Sequence, residues 1–221
     1  MKKIIISLLV IFIVPFSVFS QADDTNTTDG FSKWQVRVRG IVVTPDESAT
    51  IEAIGGSVAI STAVVPELDF TYFFTENWAA ELILATTKHD VNTVSSSIGE
   101  GVADIDLGDV WLLPPTLTVQ YHFTGGALKP YLGTGINYTI FYGEDEGPIA
   151  DAVDYENSVG FALQGGLDYD LSDKWFLNVD VKKIFLQTDV TVNATNALGA
   201  TVGADVDINP LIVGFGFGYR F

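Results

Sequence analysis

The chain has no cysteine and few basic residues, and both shortages exclude classes of protein. Without cysteine it can form neither a disulfide nor a thiolate metal site. Its 11 Lys and Arg face 28 Asp and Glu, a net charge of −17. Nucleic acid is therefore excluded as a partner, because polyanion binding requires a basic surface that releases counterions. With only two histidines as well, we predict neither a metal ion nor a cofactor.

Long apolar runs are also missing, except at the start of the chain. The run from Ile4 to Phe19 follows two lysines and covers 16 residues, fewer than the roughly 20 that a membrane-spanning helix needs. The segment Val18-Phe19-Ser20 follows the pattern of a cleavage site. We therefore predict a secretory signal peptide over residues 1–20 and a single exported domain over residues 21–221.

What the chain does have is alternation of apolar and small or polar residues, clearest in LIVGFGFGYRF at residues 211–221. Large side chains occupy every second position, and the opposite face carries three glycines and Arg220. Successive side chains of a strand point to opposite faces, and this second face is too small to be an ordinary solvated surface. It is typical of the crowded inside of a narrow barrel. The same period occurs in residues 34–39, 67–72, 78–84, 117–123, 132–140, 159–171 and 175–182.

These eight strands predict an all-β fold, an eight-stranded antiparallel transmembrane β-barrel. Short connections such as Thr75-Glu76-Asn77 alternate with long acidic ones at residues 45–57, 90–110, 143–157 and 193–206. Barrels of the Gram-negative outer membrane have this arrangement, with short periplasmic turns and long extracellular loops. A soluble barrel would instead show a polar outward face. Trp34, Trp78 and Trp175 near the predicted periplasmic ends and Trp111 near an external end are typical of interfacial girdles. Lys183 breaks the alternation, which a bulge or a side chain reaching toward water would explain.

The inward positions differ in character along the barrel. Toward the periplasm they are charged, and we predict that they pair into a polar plug. Toward the outside they are apolar, and we predict a cup for a small apolar molecule. The predicted plug residues are Arg37, Arg39, Glu67, Asp69, Glu81, Asp168, Asp180, Lys182 and Arg220. The predicted cup residues are Ile41, Val43, Phe141, Ile184, Leu186 and Ile212.

Four prolines lie in the predicted external parts of three strands, Pro66, Pro114, Pro115 and Pro210, although proline removes a ladder hydrogen bond. Pro66, Pro114 and Pro115 are therefore candidates for a lateral exit through the barrel wall, which would spare an apolar solute the passage through the plug. The alternative is that these prolines only end strands or occupy bulges.

Four stretches resemble those of a known family: LLPPTLTVQYHF (residues 112–123), KPYLGTGINYTIFY (residues 129–142), ELILATTKHDV (residues 81–91) and the terminal GFGFGYRF. On these the chain resembles the OmpW family of outer-membrane proteins, which includes AlkL. The resemblance implies an eight-stranded barrel with an outward-opening hydrophobic channel and a lateral exit, used for passive uptake of small apolar compounds. It assigns no ligand-binding residue. Lys183 and the strongly acidic loops depart from the family pattern.

Two other functions remain open from the residues. A structural or surface-interaction barrel would use its acidic loops, Gly143 to Asn157 above all, to bind external ligands or cations that bridge lipopolysaccharide. An enzyme would need a set such as His89, Asp90 and one of Ser95 to Ser97, but adjacency in sequence does not make a triad, and we predict no enzyme. Expected partners are therefore outer-membrane lipids and lipopolysaccharide, small apolar solutes, and the outer-membrane assembly machinery, which would recognise the terminal strand ending at Phe221.

Overall fold

A computed structural model describes residues 32–51, 55–98 and 101–221. The predicted signal peptide, residues 1–20, lies outside the described residues. Among the described helices, none is long and apolar enough to cross a membrane.

The described residues form fifteen strands and one short helix. In chain order they are β1 (Trp34–Thr44), β2 (Ser48–Ile51), β3 (Ser57–Ile60), β4 (Ala63–Phe73), β5 (Trp78–Ala85), β6 (Thr87–Ile98), β7 (Gly101–Leu113), β8 (Thr116–His122), β9 (Leu128–Glu146), β10 (Ala152–Tyr155), β11 (Ser158–Asp170), β12 (Trp175–Phe185), β13 (Gln187–Ala194), α1 (Thr195–Leu198), β14 (Ala200–Asp207) and β15 (Leu211–Arg220).

Eight of these strands close into an antiparallel barrel, which confirms the predicted fold. The order around the wall is β1-β4-β5-β8-β9-β11-β12-β15. The last strand pairs with the first, from Gln35 opposite Arg220 to Thr44 opposite Leu211, and closes the ring. Closure satisfies the backbone groups that an open sheet edge would expose to lipid. We call the end with the short turns the inner end and the end with the long connections the outer end.

The long connections at the outer end contain strands, where the sequence predicted polar loops. Strands β10, β13, β14 and β2 form one four-stranded sheet. On the other side, β3 pairs with β6, β6 pairs with β7, and β7 pairs with the outer part of β9. The barrel therefore continues beyond its eight-stranded part as two facing sheets.

The pattern of inward and outward residues reverses between the barrel and this extension. On β15 the outward residues are apolar, such as the exposed Phe215, whereas on β13 and β14 most of them are polar or acidic, such as the exposed Asp189 and Asp205. In the extension the inward residues are the apolar ones, such as Val190. The outer surface thus changes from one suited to lipid to one suited to water.

Aromatic side chains border the apolar outer surface at both ends. At the inner end, Trp175 packs against Tyr219 with ring centroids 4.9 Å apart, and Trp78 packs against Tyr121 at 5.1 Å. Trp111 lies near the outer end. These positions fit two interfacial girdles.

Lys183 follows regular strand pairing on both sides, so the bulge considered from the sequence is not formed there. Its ammonium instead reaches the outer end and donates to Asp46 Oδ2 at 2.9 Å and to the Asn209 carbonyl at 2.6 Å. A long side chain on an apolar face thereby places its charge in water.

Candidate binding chamber

The inner half of the bore is filled by a network of buried polar side chains, which we call the polar core. It contains eight predicted plug residues, all at most 3% exposed: Arg37, Arg39, Glu67, Asp69, Glu81, Asp168, Asp180 and Lys182. The ninth, Arg220, lies at the inner end, where its Nη1 is 2.6 Å from Asp170 Oδ1.

Arg37 connects opposite sides of the bore. Its Nη1 lies 2.7 Å from Glu81 Oε1 on β5, and its Nη2 lies 3.0 Å from Asp168 Oδ2 on β11. The same Nη1 donates to the Thr71 hydroxyl. Charged side chains buried this deeply require such partners, because each has lost its hydration.

Arg39 and Lys182 share the carboxylate of Glu67 at the top of the polar core. Arg39 Nε lies 2.9 Å and Lys182 Nζ 2.7 Å from Glu67 Oε1. Lys182 Nζ also lies 3.0 Å from Asp180 Oδ1. Arg39 continues through Nη2 to Asp69 Oδ2 at 2.7 Å. One carboxylate therefore joins β1 to β12 across the polar core.

Two large buried residues of the inner bore, Tyr131 and Phe176, were not predicted from the sequence. Tyr131 donates from its hydroxyl to Asp180 Oδ2 at 2.6 Å, and the Phe176 ring stacks under the Arg220 guanidinium at 4.2 Å. The signal was present in the neighbouring strands, because Gly166 and Gly218 leave the space that these two rings occupy.

Above the polar core lies an apolar cavity, the inner chamber, with about 920 Å³ of empty space including the part open to solvent. All six residues predicted for the apolar cup line it: Ile41, Val43, Phe141, Ile184, Leu186 and Ile212. Glu67 and Lys182 also line it, next to the polar core, and they are its charged lining residues.

Lining residues from the outer extension were missed by the sequence analysis, among them Val58, Val110, Val190 and Ile208. Val110 lies in a segment predicted as a polar connection, residues 90–110, and the other three lie outside both the predicted strands and the predicted connections. Val190 and Val192 nevertheless alternate with Asp189 and Thr191 in the strand period.

A second apolar cavity, the outer chamber, lies within the extension and has about 580 Å³ of empty space, again including open solvent. Its lining includes Ile105, Leu107 and Val202. Val58 and Val190 line both chambers. The two cavities therefore adjoin, and the inner one borders the polar core.

The barrel wall is interrupted beside the inner chamber, at Thr86 between β5 and β6. Pairing of β4 with β5 ends at Glu67 opposite Ala85. The next backbone hydrogen bond between these segments runs from Ser61 N to the Asp90 carbonyl, at 3.0 Å. Pro66 is the first β4 residue beyond the part that pairs with β5. As a proline, it cannot donate a ladder hydrogen bond.

Pro114 and Pro115 separate β7 from β8, on the other side of Thr86. The Pro115 carbonyl accepts from Tyr138 N at 3.0 Å, so the ladder to β9 continues past them. Toward β5, the Thr86 hydroxyl donates to the Leu112 carbonyl at 3.1 Å. The longer interruption is therefore the one beside Pro66.

The candidate triad is not assembled. His89 points into the inner chamber and its ring Nδ1 pairs with the Ser61 carbonyl, whereas Asp90 is exposed on the opposite face of β6. The described residues likewise contain no group of three or more His, Asp or Glu placed to hold a metal ion. Near the outer end, burial raises the pKa of the Tyr155 phenol far above its ordinary value, so this chamber residue stays uncharged.

Comparisons with known proteins agree with this architecture. The chain is 47% identical over 194 residues to an uncharacterized outer-membrane protein, y4mB, of Sinorhizobium fredii, covering 87% of this chain and 81% of the relative. It is 29% identical over 198 residues to the dibenzothiophene metabolism operon protein PahQ of Pseudomonas aeruginosa, covering 86% and 89%. The crystal structure of the outer membrane protein OprG from Pseudomonas aeruginosa superposes with a TM-score of 0.76 at 30% identity, over 86% of this chain and 96% of OprG. The model of the OmpW family matches residues 32–221, and the chain belongs to this family of outer-membrane β-barrels.

Proposed function

We propose that this protein is an outer-membrane channel for passive uptake of small hydrophobic molecules. The observation that carries the proposal is the inner chamber, an apolar cavity in the outer half of the bore that is walled by Ile41, Phe141 and Ile212. A barrel with a purely mechanical role does not need an apolar cavity in a bore that side chains could fill.

The energetics suit an apolar solute. Burial of apolar surface is favourable by about 25 cal/mol per Å², so the two adjoining chambers offer such a solute a path past the charged outer surface of the membrane. A small ion without an apolar tail would find no compensation for its lost hydration on walls of this kind.

The polar core directs where the solute leaves. Its side chains cross the bore and hold one another through ion pairs, as Arg37 does with Glu81 and Asp168. An apolar molecule moving through it would have to separate these pairs and leave charges unpartnered. We assign the exit to the interruption of the wall between Pro66 and Thr86, which adjoins the inner chamber and leads sideways into the bilayer.

The names of relatives support the same class of solute. PahQ is named for an operon of dibenzothiophene metabolism, and dibenzothiophene is a small apolar aromatic compound. The family resemblance noted from the sequence implies passive uptake of such compounds as well.

Liposomes that contain a fluorescence quencher, with and without the protein, test the proposal. Entry of a small neutral apolar fluorophore is expected to be faster with the protein, and Ile41→Asp or Phe141→Asp is expected to remove the acceleration because each places a charge in the chamber. Matched controls are Ile41→Val and Phe141→Leu, which keep the walls apolar. Equal entry into protein-containing and empty liposomes would refute the proposal.

The acidic outer extension favours a second candidate, a surface-interaction role with lipopolysaccharide or external ligands as partners. Carboxylates such as Asp154, Asp189 and Asp205 are exposed on one outer sheet, where divalent cations could bridge them to lipopolysaccharide phosphates. In that case replacing the outer strands would remove the phenotype, and chamber substitutions would not.

The terminal strand carries a separate proposal about assembly. Its aromatic residues alternate up to Phe221, whose backbone N donates to the Trp34 carbonyl at 3.0 Å. We assign this strand as the element that the outer-membrane assembly machinery contacts. Phe221→Ala should then reduce the amount of inserted barrel in cells more than it lowers the stability of the folded protein in vesicles. Equal insertion of variant and wild type would contradict this.

A further inference from the structure

We infer that the chambers select solutes by the charge of their polar end: they take neutral and cationic amphiphiles and reject anionic ones that have the same apolar tail. The inference rests on the proposed function and specifies its class of solute. Three features of the molecule carry it, namely the charge of the outer extension, the state of the lysine that lines the inner chamber, and the balance of charge in the polar core.

Almost all charged residues of the outer extension are acidic. In the described segments 45–51, 55–62, 86–98, 101–115, 143–157 and 186–210, fifteen residues are Asp or Glu and one, Lys88, is basic. Lys88 is already paired, with its Nζ 2.9 Å from Asp109 Oδ1. A solute that enters from the outside passes this extension to reach the chambers, and a field of one sign lowers the local concentration of ions of that sign.

Among the described residues that line the inner chamber, none offers an anion an unpaired cation. Its lysine, Lys182, is 2% exposed and holds two carboxylates, Glu67 at 2.7 Å and Asp180 at 3.0 Å. Tyr155, which also lines the chamber, is kept neutral by burial. A carboxylate entering this cavity would lose its hydration without gaining a partner, and that loss is large for a charged group.

The polar core below adds to the same preference. It brings three basic side chains, Arg37, Arg39 and Lys182, together with five acidic ones. The acidic members are Glu67, Asp69, Glu81, Asp168 and Asp180. Carboxylates therefore outnumber basic groups in the polar core as a whole, which disfavours an anionic end above it, while a cationic end or the hydroxyl of an alcohol finds carboxylate acceptors.

Three probes with one tail separate these cases: 1-octanol, octylammonium and octanoate. The protein in nanodiscs is loaded with the neutral fluorophore N-phenyl-1-naphthylamine, and each probe is titrated at pH 7.5 and low salt, with empty nanodiscs subtracted. Octanol and octylammonium are expected to displace the fluorophore. Octanoate is expected to need a concentration at least about tenfold higher for the same displacement. Raising the salt to about 0.3 M shortens the range of the external charges and should narrow this difference.

Variants separate the sources of the selectivity. The triple variant Asp154→Asn, Asp189→Asn, Asp205→Asn should bring octanoate several-fold closer to octanol by weakening the external field. Glu67→Gln should lower the ratio of the octanoate concentration to the octanol concentration at which the fluorophore is displaced. The reason is that Lys182 then loses one of its two carboxylates. The matched control, Glu76→Gln with Asp173→Asn, removes two charges from the exposed inner turns and should leave all three probes unchanged.

The displacement results test the charge selectivity and the channel proposal separately. If octanol and octanoate displace the fluorophore equally well from the wild type, or if neither the triple variant nor Glu67→Gln changes their ratio, the charge selectivity is overturned while the channel proposal stands. If octanol displaces no more fluorophore than it does from empty nanodiscs, the proposed uptake function falls and the selectivity falls with it.

Discussion

The ring of Phe176 on β12 lies in the space that a side chain at Gly218 on β15 would need, because the two residues are direct partners in neighbouring strands. The glycines of the last strand therefore have a packing role. They make room inside a narrow bore for large side chains from the adjacent wall.

Replacing Gly218 by valine should therefore destabilise the barrel. The added methyl groups would overlap the Phe176 ring, and overpacking of this kind costs about 1–3 kcal/mol. Urea unfolding in lipid vesicles measures the loss. Gly40→Ala is the control, since a Cβ at that position has no neighbour within 4 Å. Equal effects of the two substitutions would contradict the packing role.

Removing Arg39 should lower the free energy of unfolding far more than removing a partly exposed cation. Arg39→Ala leaves Glu67 and Asp69 buried with one ion-pair partner fewer, and breaking a buried pair costs about 3–5 kcal/mol. Lys129→Ala removes a pair with Asp170 whose side chains are 28% and 22% exposed, and such pairs contribute about 0–1 kcal/mol. The free energies of unfolding of the two variants in vesicles should differ accordingly. Similar losses would show that the polar core is hydrated.

Closing the wall beside Pro66 should slow delivery of apolar solutes to the bilayer. Val64 and Lys88 flank the interruption, and the native chain has no cysteine to interfere. In the variant Val64→Cys, Lys88→Cys, oxidation should lower the rate of solute transfer into the membrane, and reduction should restore it. The control pair, Phe161→Cys with Phe185→Cys, spans an intact part of the wall and should show no redox effect. Unchanged transfer after a cross-link verified by mass spectrometry would exclude this exit.

The acidic outer sheet should become less stable as the pH rises. Asp189 and Asp205 are direct partners on β13 and β14, and the hydrogen bond to Asp205 raises the pKa of Asp189 above its ordinary value of 3.8. The folded state therefore holds this proton more tightly than the unfolded state, so stability is lost as the pH rises through the raised pKa.

The variant Asp189→Asn keeps a hydrogen-bond donor without the charge. Its thermal unfolding midpoint should exceed that of the wild type at pH 7, and the difference should shrink as the pH is lowered toward 4. Glu76→Gln in an inner turn controls for the general loss of one acid. A difference that does not depend on pH would contradict the shared proton.

The eight barrel strands could be predicted from the sequence because contact with lipid imposes the same requirement on each of them. An outward residue must be apolar, so residues such as Phe215 and Phe217 reveal the period, and the opposite parity then places Arg37 and Asp180 inside. The same logic correctly placed Ile41 and Phe141 inside the outer half of the bore.

The outer extension escaped prediction because the requirement reverses there. Its outward residues face water and are mostly polar or acidic, such as Asp189 and Asp205, so these strands resemble solvated segments in sequence, although Val190 and Val206 keep the strand period. Tyr131 and Phe176 were missed for a different reason. Their place depends on space left by glycines in neighbouring strands, which is a property of register between strands and not of one strand.

The most direct test of the central claim is the location of a bound apolar molecule. A crystal structure of the protein soaked with 1-bromooctane would reveal the bromine by its anomalous scattering. The account predicts a bromine peak in the inner chamber, between Ile41, Phe141 and Ile212 and above the Lys182–Glu67 pair. Bromine peaks confined to the lipid-facing surface, with the chamber unoccupied at saturating ligand, would contradict it.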